Sequence, residues 1–242
     1  MPLPKVATPT YELRLISNGK IIKYRPFLVK EEKVLIIALE SQNQQDITTA
    51  IKQTLQNCIL TRGVKIETLP SFDLENLFLN IRSKSVGETV DVLVTCQDDG
   101  ETKVEHTVNI ADVYVDVPDD HTDTIEVSEG IHMKMKYPSL QEFIDNNFDM
   151  TSADGKDTVD KTFKIIASCI DTIYTEDEAW SSSDCTEKEL ISWLETLDSS
   201  QFKKVEQFFN TLPKLMYKST VINPKTGNEN EVVIEGLTNF FM

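Results

Sequence analysis

Apolar and polar positions alternate weakly from Tyr11 to Ile16 and again from Lys20 to Tyr24, with Asn18-Gly19 between them. A period of two marks a half-buried strand, and an Asn-Gly pair supplies the positive φ values of a two-residue hairpin turn. Arg25-Pro26-Phe27 ends the second strand, because proline donates nothing to a ladder. From Glu31 the pattern becomes a run, Val34-Leu35-Ile36-Ile37-Ala38-Leu39. It predicts a helix that is apolar all round and therefore covered by other elements; a short strand is the competing reading. Asp46 is placed to cap a second helix carrying Ile47, Ile51, Leu55, Cys58 and Ile59 on one stripe. Asp73 to Val86 predicts a third, with Leu74, Leu77, Phe78 and Ile81 inward and Gly87 closing it in the left-handed conformation.

At Glu88 the period returns to two. Val90, Val92 and Val94 alternate with polar residues, and Val104, Val108 and Ile110 answer them beyond a turn at Asp99-Gly100. Short strands follow around Val113 to Val117 and Ile131 to Lys136, and Tyr137-Pro138-Ser139 leads into a short helix through Phe143 and Ile144. Val159, Phe163, Ile166, Ile170 and Ile173, at spacings of 4, 3, 4 and 3, form one helical stripe. Thr186 to Glu189 has the Thr-x-x-Glu form of a capping box, opening a helix with Leu190, Trp193, Leu194 and Leu197. Ser200 can cap another that presents Phe202, Val205, Phe208, Phe209 and Leu212 and stops at Pro213. A hairpin, Lys218 to Ile222 and Glu231 to Ile234, and an apolar turn at Phe240-Phe241 close the chain.

These elements make an α+β protein of mixed helices and short antiparallel hairpins. It divides into an N-terminal hairpin with helices (1–87), a β-rich acidic module (88–138), and a helical region with a C-terminal hairpin (139–242). Two turns look alike: Cys96-Gln97-Asp98-Asp99-Gly100 and Asn223-Pro224-Lys225-Thr226-Gly227 both end in Gly between apolar strands. This is the shape of a zinc knuckle, in which Cys-x-x-Cys-Gly closes two thiolates on one metal.

Chemistry narrows the picture mainly by subtraction. A closed zinc site needs about four ligands; one thiol survives in the first turn and none in the second, so Cys96 with His106 offers two, and no metal or other cofactor is expected. Asp119-Asp120-His121-Thr122-Asp123 reads as a solvated acidic loop rather than a cation site. Around Gly155 the calcium-loop spacing fails, with Met150 and Lys161 where carboxylates belong. Gly-x-Ser-x-Gly and His-Glu-x-x-His are missing, and Gly19-Lys20 follows a hairpin rather than forming a phosphate loop. The three histidines, His106, His121 and His132, lie in the β region with no identifiable nucleophile, and the chain is read as no enzyme. The four cysteines are widely spaced and read as free thiols of a reducing cytosol. No apolar run approaches the roughly 18 residues of a membrane span, and the opening residues lack the apolar core of a secretory signal.

Charge is where composition departs from the ordinary. Forty acidic against 24 basic residues give −16, which repels nucleic acid and anionic lipid and favours basic proteins. Residues 97–130 hold eleven Asp or Glu and one basic residue, Lys103, whereas residues 1–40 hold seven Lys or Arg against four Glu. Complementary charge of this kind steers protein docking, or the acidic stretch simply keeps the surface soluble.

Several strings resemble the baseplate hub assembly proteins of T4-like myoviruses. They are KYRPFLVKEEKVL (23–35), IRSKSVGE (81–88), KMKYPS (134–139), IASCID (166–171), QFFNTLPKL (207–215) and VIEGLTNFF (233–241). The resemblance implies a factor made in the host cytoplasm that helps to build the central hub of the phage tail baseplate. Its partners would be other hub proteins and the tape-measure protein, whose long helices need covering before assembly. Some relatives carry Cys-x-x-Cys in both knuckle turns, and this chain departs from them there. Two rival roles are a permanent structural subunit of the hub and a hub-associated cell-wall hydrolase. Partner contact is expected at Asp119, Asp120 and Asp123, and at Phe208, Phe209, Leu212, Leu215 and Met216 beside Phe240 and Phe241, unless those apolar residues pack the closing hairpin onto the helices.

Overall fold

The computed structural model describes residues 6–138 and 155–236. The predicted helix through Phe143 and the closing turn at Phe240-Phe241 lie outside them. The elements are β1 (Tyr11–Arg14), β2 (Ile21–Tyr24), α1 (Val29–Glu40), α2 (Gln44–Cys58), α3 (Ser71–Val86), β3 (Thr89–Thr95), β4 (Lys103–Asn109) and β5 (Tyr114–Asp116). Then follow β6 (Thr124–Ser128), β7 (Ile131–Met135), α4 (Gly155–Ser168), β8 (Ile170–Tyr174), β9 (Ala179–Ser181), α5 (Glu187–Leu194), α6 (Ser199–Asn210), β10 (Lys214–Ile222) and β11 (Glu229–Glu235). All the strand pairings are antiparallel, and the class is α+β. Among the described residues no helix is long and apolar enough to cross a membrane.

The chain folds into two compact units, 1–116 with 214–242 and 117–213. This grouping cuts across the three segments drawn from the sequence. The reason is a long-range pairing that local pattern does not carry: β10 adds to β5, giving a three-stranded sheet β11-β10-β5. In that register Lys214 stands opposite Asp116, so the two ends of the first unit's chain meet on neighbouring strands.

In the first unit α3 is the central helix. Phe72, Leu74, Leu77, Phe78, Leu79 and Ile81 are all buried, on more than the one predicted face. Asp73 at its start is also buried; its carboxylate accepts hydrogen bonds from the N–H groups of Ile16 (2.8 Å) and Ser17 (3.3 Å), tying down the β1–β2 turn. That turn is wider than a two-residue loop, since Gly19 N–H donates to the Leu15 carbonyl and Leu15 N–H to the Lys20 carbonyl. Gly19 alone takes positive φ; Asn18 does not, so the primed turn predicted from Asn-Gly is absent. Gly87 (φ 133°, ψ 160°) likewise ends α3 in a glycine-only extended conformation rather than the left-handed helical one. α2 begins at Gln44, which puts Asp46 in its first turn instead of at its cap.

The second unit is a four-stranded meander, β6-β7-β8-β9, with α4, α5 and α6. Its core gathers Ile125, Val127, Met133, Met135, Ile166, Ile170, Leu190, Leu194, Val205 and Phe208. The predicted helical stripe through Ile170 and Ile173 is interrupted: α4 ends at Ser168 and both isoleucines lie on β8, facing β7. Here β-branched residues find a strand partner, and tertiary pairing overrides a continuous helical period. β6 and β9, beyond the strands predicted from the sequence, complete the sheet. The Thr186 capping box forms as expected, with Glu189 answering. α6 starts two residues earlier than expected, capped by Asp198 with Gln201 in place of Ser200.

Candidate protein-binding surfaces

Asp119, Asp120 and Asp123 stand exposed on the turn between β5 and β6. Their turn is anchored by His121, whose Nδ1 lies 3.0 Å from Thr211 Oγ1 and whose Nε2 lies 3.0 Å from Tyr137 Oη. The Thr211 hydroxyl already donates to the Gln207 carbonyl at 2.8 Å. His121 Nδ1 therefore carries the proton, and Nε2 accepts from Tyr137. The ring stacks on Tyr137 and tilts against Phe208, with centroids 5.6 and 5.4 Å away. Burial pushes its pKa below the usual histidine value, against the opposing pull of Asp123 and Asp120.

The structure thus brings the acidic turn beside α6, but with Phe208 inward. Phe208 is 2% exposed and belongs to the second unit's core; Phe209 meets it edge-on at 5.1 Å, and Phe209 and Leu212 are partly buried against that core. Leu215 and Met216 are buried on β10 in the first unit. Phe240 and Phe241 lie outside the described residues.

The two look-alike turns are brought together, both in the first unit. In each, the glycine N–H donates to the carbonyl of the first residue (Gly100 to Cys96, 3.0 Å; Gly227 to Asn223, 2.8 Å). A carboxylate joins the two turns. Asp98 accepts from Asn223 Nδ2 (2.7 Å), from the Thr226 hydroxyl and from Asn228 Nδ2 (3.3 Å), while its own N–H donates to Asn230 Oδ1 (2.9 Å). The hydroxyl and amide donors hold the Asp98 carboxyl below its ordinary pKa. Asp99, held well below the usual range by Thr102 and Glu101, also faces Lys225 at 3.6 Å. Burial, with the charges of Asp98 and Asp99, raises the Cys96 thiol. His106 Nε2 is engaged by Tyr217 Oη at 2.8 Å. Among the described residues no three His, Cys, Asp or Glu side chains are grouped to hold a metal ion.

The chain matches the family described as T4 bacteriophage base plate protein over residues 8–242. It belongs to the T4 base plate protein family. The baseplate hub assembly protein gp26 of Enterobacteria phage T4 is 25% identical over 235 residues, spanning 96% of this chain and 97% of that protein. No solved structure matches. The resemblance carried by the strings from 23–35 to 233–241 is borne out.

One surface of this base plate family member departs from what its sequence pattern predicts. Among the described residues, most of the apolar helix α1 is left exposed. Glu31 and Ala38 are buried, with Glu31 paired to Arg25 at 3.0 Å and accepting from Leu28 N–H at 2.8 Å. Val29 is 79% exposed, Ile37 56%, Ile36 49% and Leu39 48%. Pattern alone does not distinguish a helix awaiting a partner from one buried in its own core, because both lack a polar face.

Proposed function

We propose that this chain is an assembly factor of the phage baseplate hub, acting by binding other hub proteins in a chaperone-like, non-catalytic way in the host cytoplasm. The observation that carries this reading is the end-to-end likeness to a protein named for baseplate hub assembly. The tape-measure protein is among the partners, since its helices need cover before the hub closes around them. The exposed Asp119, Asp120 and Asp123 steer a basic partner onto the turn that His121 anchors, as rim charges act mainly on encounter.

The test is to follow the protein through infection by quantitative mass spectrometry of hub intermediates and of purified mature particles. It should accompany hub proteins in the intermediates and be lost from the particles. A fixed stoichiometry in mature particles would make it a permanent structural subunit instead. Neutralising the three aspartates together should slow association with the captured hub proteins more than it speeds dissociation. Purified protein is expected to leave cell-wall peptidoglycan intact.

A further inference from the structure

Lys33, Ile36, Ile37 and Glu40 fall at i, i+3, i+4 and i+7 on α1, so they form one row along the helix. All four are exposed, and neither Lys33 nor Glu40 has an ion-pair partner among the described residues. Read along the helix the row is cation, apolar, apolar, anion. Turned end for end, it is its own complement.

We propose that α1 is a self-association surface through which two copies of this chain pair their helices antiparallel. The twofold axis passes between Ile36 and Ile37, setting Ile36 of one copy against Ile37 of the other and Lys33 against Glu40 on both sides. Such a contact is isologous and closes at two copies. A parallel pairing would oppose like charges, Lys33 to Lys33 and Glu40 to Glu40. The exposed Val29, four residues before Lys33, continues the row by one turn. The net charge of −16 makes most of the surface repel a second copy, but residues 1–40 carry seven Lys or Arg against four Glu. On α1 itself Lys30 and Lys33 stand against Glu31, Glu32 and Glu40, with Glu31 paired to Arg25, so two copies meeting on this helix face little net repulsion. A helix of 12 residues is about 18 Å long, too short to bury the roughly 800 Å² per partner of a standard stable interface. The dimer therefore dissociates on dilution. The inference stands apart from the hub-assembly reading and from the identity of any hub partner.

Sedimentation velocity of the full chain across a dilution series tests it. The expected result is a reversible monomer–dimer equilibrium. Lys33→Glu, which sets carboxylate against carboxylate, should weaken it roughly tenfold or more, and Glu40→Lys, which sets ammonium against ammonium, should do the same. The double variant Lys33→Glu/Glu40→Lys should restore the wild-type equilibrium. Ile37→Ser should abolish the dimer while leaving the melting temperature of the dilute protein unchanged, which separates loss of contact from loss of fold. A chain that stays monomeric at every concentration, even if α1 then binds an added hub protein, would overturn the proposal. So would a dimer indifferent to Ile37→Ser, or a double variant that fails to recover.

Discussion

His121 shows how one side chain serves two structural ends. Its ring spans from Thr211 at the end of α6 to Tyr137, holding the acidic turn to the second unit's core in a neutral form. The lowered pKa has a definite consequence for stability. On acidification the unfolded chain takes up the proton first, near the ordinary value of 6.5, while the folded ring resists it. Stability should therefore be unaffected well above that value, fall as pH drops through it, and level off below the folded pKa. Melting temperatures between about pH 7.5 and 5.5 should decline, and His121→Gln should flatten the decline. Carboxylates such as Glu31, Asp98 and Asp99 have depressed pKa values, so their contributions are lost only in more acid solution.

At the scale of elements, α6 and α1 carry opposite lessons about apolar surface. The sequence pattern around Phe208 fits a partner groove but favours core, and the structure buries it among Leu194, Val205 and the rings of His121 and Tyr137. Phe208→Ala should cost about 3–5 kcal/mol, the range for deleting a packed aromatic. A denaturant titration of the isolated protein checks this, with a normal unfolding midpoint as the contrary result. α1 has the more apolar sequence and the more exposed face. Local signals such as the Thr186 capping box, the β3–β4 alternation and the stop at Pro213 were legible because each is decided within a few residues. β8 was not, since its neighbour β7 lies far back in the chain, and neither was the fate of α1, which depends on what else reaches it. The paired turns fall between these cases: their shape was visible in Gly100 and Gly227, but the Asp98 carboxylate that joins them was not.

For the whole molecule, the register of β5 with β10 matters most. Asp116 and Lys214 face each other across one ladder, and everything from Val117 to Pro213 leaves and returns at that point. To the first unit, the entire second unit is topologically equivalent to the loop of a hairpin. Loop-closure entropy grows only logarithmically with length, and the sheet pins both ends, so an insertion there is tolerated at small thermodynamic cost. The same position is thus a natural graft point, at which a domain can be gained, exchanged or lost without rebuilding the host fold. A chain in which a short Asn-Gly-containing turn joins residue 116 directly to 214 should fold cooperatively and keep the strand signature of β3–β4 and β10–β11. Amide exchange on that excised chain would show it, and uniform loss of protection would mean that the first unit needs its passenger.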